Sequence, residues 1–162
     1  MKSVLLLLLT TLTFAQTSHE QIAKTLDNWH QAAADAKFDN YMNAMTSDAI
    51  YIGTDATENW NKKGFMAFAK PYFDKGKAWS FTALKRHIYI AKDKKTAWFD
   101  ELLDTQMKIC RGSGVLVKVG NVWKIQHYVL SMTIPNDNTD EVIKLKQIIE
   151  NPLIEKLKTM NK

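Results

Sequence analysis

The stretch 110–135, CRGSGVLVKVGNVWKIQHYVLSMTIP, constrains the fold more than any other part of the chain. β-Branched and aromatic residues fill it, and Gly120-Asn121 interrupts it, so it reads as two long antiparallel strands and a tight turn. A hairpin is at best marginal alone and needs more strands or a helix on one face. The preceding sequence supplies both. From Trp79 the apolar period is two: 79–91 reads as one strand or a bent pair, and Lys92-Asp93-Lys94 turns it into a strand over 96–105. Upstream, Ile22, Leu26, Trp29 and Ala33 form one helical stripe over 18–35, with Ser18 and Gln21 spaced as a capping box. A short helix over 38–46, a strand over 48–52 and a polar loop over 53–60 follow. A third helix is predicted over 62–75, capped by Asn61, bent at Pro71 and ended by Gly76. Beyond Pro135 the pattern predicts a helix over 139–150, and Asn151-Pro152 predicts a second one over 152–160. Helices on one side of a curved antiparallel sheet make an α+β architecture.

The register of the hairpin decides what faces what. A two-residue Gly-Asn loop pairs Val119 with Val122 and mixes charge with apolar residues on both faces. A three-residue loop with a left-handed Asn121 pairs Lys118 with Val122 and gathers Val115, Val117, Trp123, Ile125 and Val129 on one face. Register follows the hydrophobic pattern where one face is buried, so the second form is expected. It places Arg111, Ser113, His127 and Ser131 on that core face, with His127 opposite Ser113 and Arg111 opposite Val129. Arg111 and His127 are then diagonal neighbours, roughly 7–8 Å apart at the backbone. Leu116, Tyr128 and Leu130 fall on the outer face, a patch for a second copy of the chain or for a covering helix.

This arrangement sets the candidate site. A buried Arg needs an anion, and Asp100, Glu101 and Asp104 are the nearest source. Apolar residues occupy both parities of that strand, so which of Asp100 and Glu101 points inward stays open. His127 with Asp100 is the candidate acid–base pair, while Arg111, Ser113 and Glu101 hold a polar group of a ligand and Tyr51, Trp60 and Trp98 line the cavity. The competing reading is a polar network and packed aromatics that satisfy one another. His19, His30, His87 and His127 lie far apart, no Cys-x-x-Cys or phosphate loop occurs, and no metal or cofactor is expected. Cys110 is the sole cysteine and reads as a buried, inert thiol.

A chain of 162 residues suits one domain, and its +5 formal charge comes from scattered lysines rather than a basic run, so no nucleic-acid partner is expected. Residues 1–15 have a secretory signal pattern: Lys2, an apolar run through Phe14, and small residues at Thr13 and Ala15 before the cut. The run is too short to span a membrane. The expectation is an exported protein, periplasmic or extracellular, without a stable membrane anchor.

Three blocks carry a family resemblance: 52–60 (IGTDATENW), 96–101 (TAWFDE), and RGSGVL at 111–116 running into WKIQHYVLS at 123–131. With them, residues 20–135 resemble the SnoaL-like branch of the NTF2-like superfamily. The resemblance implies a domain over 18–135, with 136–162 as a helical extension. It further implies an NTF2-like cone, a curved antiparallel sheet wrapped around helices with a pocket between them, often as a homodimer. The superfamily includes isomerases, cyclases, dehydratases and members that only bind. The expected function is therefore binding of a small, partly apolar molecule. The alternatives are an acid–base enzyme using His127 and a carboxylate, or a dimeric interaction module with a filled cone. A cavity above roughly 300 Å³ reaching Arg111 and His127 favours binding or catalysis. A cone plugged by Trp and Phe favours the module.

Overall fold

A computed structural model describes residues 16–160. The expected signal peptide, residues 1–15, lies outside them. The elements are α1 (Ser18–Ala34), α2 (Phe38–Asn43), β1 (Met45–Ile52), β2 (Asn59–Asn61), α3 (Lys62–Asp74), β3 (Thr82–Ile90), β4 (Thr96–Thr105), β5 (Lys108–Val119), β6 (Val122–Met132) and α4 (Thr139–Met160). One six-stranded sheet has the order β2-β1-β6-β5-β4-β3, with β1 parallel to β6 and every other pair antiparallel. Helices α1 and α3 lie on its inner face and α2 packs between them, so the expected α+β architecture is observed.

Local chemistry sets the helix ends. The Thr17 hydroxyl accepts from the Glu20 amide and the Glu20 carboxylate accepts from the Thr17 amide, a capping box one residue earlier than the predicted Ser18–Gln21 pair. Thr17 wins because its partner three residues on is a carboxylate, the stronger acceptor. The Asn61 side chain accepts from the Gly64 amide at 2.9 Å to start α3. Pro71 lies inside α3 without ending it.

The hairpin does not form in the expected register. Val119 pairs with Val122 through a two-residue Gly120-Asn121 loop, and Gly120 takes φ +60°. Glycine at the first central position with positive φ is what a type II′ turn requires, and that turn matches strand twist. The mixed faces this register creates are resolved in two ways. Lys118 lies at the rim with its ammonium 5.9 Å from the Trp123 ring centroid. Farther along, the register shifts between Val115 and Leu116, leaving Gln126 as an extra residue in β6. Beyond that bulge the parity of β6 reverses. Leu116, Trp123, Ile125, Tyr128 and Leu130 are therefore buried on the inner face, each worth about 1.5–3 kcal/mol of apolar burial. Arg111, Ser113, Val115, Val117, His127 and Val129 lie on the outer face. The expected outer patch is core, and the expected polar cone lining is outside it.

Aromatic side chains fill the interior. Tyr51 stacks on Phe65 at 3.9 Å and 9°, Trp29 stacks on Tyr41 at 4.8 Å, and Tyr128 meets Trp29 edge-on at 4.7 Å. Burial, reinforced by neighbouring ionisable groups, pushes the phenols of Tyr41, Tyr51 and Tyr128 above their ordinary range.

Helix α4 is continuous, where two helices were predicted; Pro152 lies inside it. Its apolar side chains are largely exposed, with Ile148 and Ile149 each 75% accessible, so the carbonyl that proline leaves unpaired is solvated rather than buried. It packs against the 3-10 turn Asn136–Asn138 and contributes no buried residue to the core.

Candidate functional site

The structure divides the predicted site residues among three places. Glu101 points inward, and Asp100 points outward. Arg111, Ser113, Trp98 and His127 accompany Asp100 on the outer face. Tyr51 and Trp60 line a cleft at the mouth of the cone. Arg111 pairs with Ser131 and His127 with Val115, so the two are not diagonal neighbours. Asp100 accepts from or bonds to His87 Nδ1 at 3.0 Å rather than His127. The two-residue turn shifts the pairing by one residue and the bulge at Gln126 by one more, so His127 moves from Ser113 to Val115 and Arg111 from Val129 to Ser131.

Inside, the polar centre is a set of residues drawn from three elements. Glu101 of β4 bonds His30 Nε2 of α1 at 2.8 Å through one carboxylate oxygen and accepts from Arg86 Nε of β3 at 2.8 Å through the other. Arg86 also donates to Asp27 at 2.7 Å and to the Ala23 carbonyl. Burial lowers the Arg86 pKa, but Glu101 and Asp27 outweigh it and hold the guanidinium above its ordinary value. The Tyr128 hydroxyl and Arg86 Nη2 are buried with no partner among the described residues. Gly112 makes this packing fit: a Cβ there would lie 2.5 Å from the Tyr128 oxygen and 3.0 Å from Glu101. A His–Glu pair of this geometry has the parts of an acid–base dyad. It is closed off, because the Phe81 ring stands 5.9 Å from His30 and itself lines the mouth cleft.

Sequence reasoning missed His30, Arg86 and Asp27 as one network. In β4 Ala97, Phe99 and Leu103 share Glu101's parity, but Trp98 and Leu102 share that of Asp100 and Asp104, so the strand alone did not mark Glu101 as inward. His30 directly follows Trp29 of the buried stripe.

The mouth cleft has a volume of about 150 Å³. Tyr51, Trp60, Phe65, Phe68, Trp79 and Phe81 form its apolar walls, and Glu58 and Gln106 add polar groups. Trp60 and Phe68 stack at 4.5 Å, and Phe68 is 36% exposed, so the outer wall is open to solvent. On the outer sheet face a shallow depression of about 440 Å³ is lined by Lys85, His87, Asp100, Leu102 and Arg111. It reaches Arg111 but not His127. Tyr89 and Trp98 stack beside it at 5.7 Å and 15°. Among the described residues, no three His, Cys, Asp or Glu side chains converge on a metal position.

Comparison with known proteins places this geometry. A family model described as a SnoaL-like domain matches residues 22–135. An NTF2-like protein from Cytophaga hutchinsonii is 14% identical and superposes with a TM-score of 0.61 over 73% of this chain and 100% of its own. A candidate dehydratase of the NTF2-like family from Streptomyces avermitilis is 12% identical, with a TM-score of 0.61 over 72% of this chain and 96% of its own. A candidate calcium/calmodulin-dependent kinase II association domain from Exiguobacterium sibiricum is 12% identical, with a TM-score of 0.59 over 76% of this chain and 99% of its own. These likenesses establish the fold. No curated protein matches the chain.

Proposed function

The chain belongs to the SnoaL-like domain family, and from that premise we propose that it is an exported module holding one small, flat, partly apolar molecule at the mouth of its cone. The observation that carries this reading is the aromatic cleft. Side chains of β1, β2, α3 and the loop before β3 converge on a space that matches a single aromatic ring in size. The interior beyond it is packed, so the ligand is held at the entrance rather than engulfed. Glu58 at the rim accepts a hydrogen bond from a donor on the ligand's edge.

Titration with indole and phenol, followed by ligand-detected NMR, tests this. Saturable binding is expected, weakened about tenfold in Phe68→Ala and in Trp60→Ala, since burying one aromatic face contributes about 1.5 kcal/mol. Binding that survives both substitutions unchanged, or no saturable binding at all, overturns the reading.

A second reading rests on a separate observation. The outer sheet face carries the half-exposed Tyr89 and Trp98 together with charges of both signs: Lys85 and Arg111 against Asp100 and Asp104. A face of that kind is self-complementary, and it supports a homodimer built sheet to sheet. His127 has no carboxylate partner among the described residues, and the His30–Glu101 pair is sealed behind Phe81.

A further inference from the structure

Outside the cone, α1, α2 and the tip of the β5–β6 hairpin enclose a groove. One part, of about 540 Å³, lies between α1, α2 and the start of β6. A second part, of about 280 Å³, continues toward the first turn of α1 and shares Thr25, Asn28, Val122 and Trp123 with the first. On α1 the lining positions Gln21, Thr25, Asn28, Ala32 and Asp35 recur every three or four residues and form one stripe. At the helical rise per residue the stripe runs on the order of 20 Å.

Carboxamides dominate the walls. Gln21, Asn28 and Gln31 come from α1, Asn40 and Asn43 from α2, and Asn121 from the hairpin tip. Gln21 is engaged with the Gln16 carbonyl and Gln31 with Asp35. The side chains of Asn28, Asn40, Asn43 and Asn121 are exposed and make no hydrogen bond among the described residues, so they meet the groove with donors and acceptors that only water holds. Asn is a poor helix former, and a helix face that only meets water is better built from Lys and Glu. Asn40 and Asn43 do not cap α2 through their side chains either. Unpartnered carboxamides from three elements around one concavity fit a ligand whose groups are also both donor and acceptor.

Charge and topology narrow the ligand class. Lys24, Lys37 and Lys124 face the groove with Asp35, and Lys124 is already tied to the Asn43 carbonyl at 3.0 Å. A nucleic-acid track needs a denser basic stripe than this. β6 pairs with β1 only from Ile125 onward, so the edge beside the groove is open over Val122–Lys124 alone, too short for an extended peptide to add along it as a strand. The exposed Val122 and the partly buried Ala44 lie among the amides and suit the C–H faces of sugar rings. We propose that this groove binds a neutral oligosaccharide, whose hydroxyls are read by Asn28, Asn40, Asn43 and Asn121.

Trp29 and Trp123 form the floor, so intrinsic fluorescence reports occupancy. The purified protein is titrated with neutral tetrasaccharides of glucose and of N-acetylglucosamine, and backbone amide NMR shifts locate the site. A saturable signal is expected with one of them, with shifts confined to residues 21–43 and 121–124. Asn28→Ala and Asn40→Ala, both on exposed positions, should each weaken binding at least fivefold, while Trp60→Ala at the cone mouth leaves it unchanged. The proposal is overturned if neither tetrasaccharide gives a saturable signal or if the shifts map to the cone mouth. It is equally overturned if both Asn variants bind as the parent does, or if only a polyanion such as heparin tetrasaccharide binds with steep salt dependence.

Discussion

Glu101 places a carboxylate with no solvent contact between His30 and Arg86, so one side chain ties α1, β3 and β4 together. Its two oxygens are each satisfied at 2.8 Å, and Arg86 is 10% exposed. Removing one partner of such a set leaves the other buried without compensation, which typically costs more than the pair contributes. Glu101→Ala is therefore expected to lower unfolding stability by about 3–5 kcal/mol in urea melts. Glu101→Gln, which keeps an acceptor for Arg86, should lose less than Ala does. A loss below about 1 kcal/mol for the Ala variant would mean that Asp27 alone satisfies Arg86. The presence of an inward acid was legible in the sequence, because three carboxylates crowd one strand. Its partners were not: His30 and Arg86 are distant in sequence, and only the packing of α1 across β3 and β4 brings them together.

Among the elements, the Asn61 cap of α3, the strand β4 and the successive pairing of β3 to β6 follow from capping residues and apolar period, which are local signals; β2 within the expected loop and β1 parallel to β6 do not. The β5–β6 register is not local in that sense. It is a balance between turn chemistry, which favours Gly120 in a two-residue turn, and the apolar pattern, which favours a bulge somewhere. Both are satisfied by moving the bulge from the turn to Gln126, five residues farther along the hairpin than expected. No propensity marks Gln126 for that role, so the faces of Arg111 and His127 were not readable without the structure. Helix α4 shows the converse. Its apolar residues were legible as a helix, yet they contribute nothing to the core. Truncation after Pro135 is accordingly expected to shift the melting temperature by less than about 2 °C, as for a surface change. A fall of 5 °C or more by calorimetry would show that α4 contributes to the stability of the folded body.

At the scale of the molecule, the sheet has one face covered by helices and one face on which Trp98 and Tyr89 remain about half accessible. Ile50, Ile52, Val115, Val117 and Val129 lie on that same face and are only partly covered. A face this apolar, with Lys85 and Arg111 flanking Leu102 across the strands and Asp100 and Asp104 flanking it along β4, presents alternating charge around an apolar centre. A twofold axis that sets Lys85 or Arg111 of one copy against Asp100 or Asp104 of the other makes that contact twice, because an isologous interface repeats every contact. A standard interface of this type covers roughly 800 Å² per partner, which a six-stranded face accommodates. Sedimentation velocity on the purified protein across a hundredfold concentration range is expected to show a dimer at the upper end. Val115→Lys and Trp98→Lys, on the apolar part of this face beyond Asp100, should each shift the population to monomer without changing far-UV circular dichroism, since neither side chain belongs to the core. A chain that sediments as a monomer throughout the range, or a dimer that both lysines leave intact, removes the sheet-to-sheet arrangement.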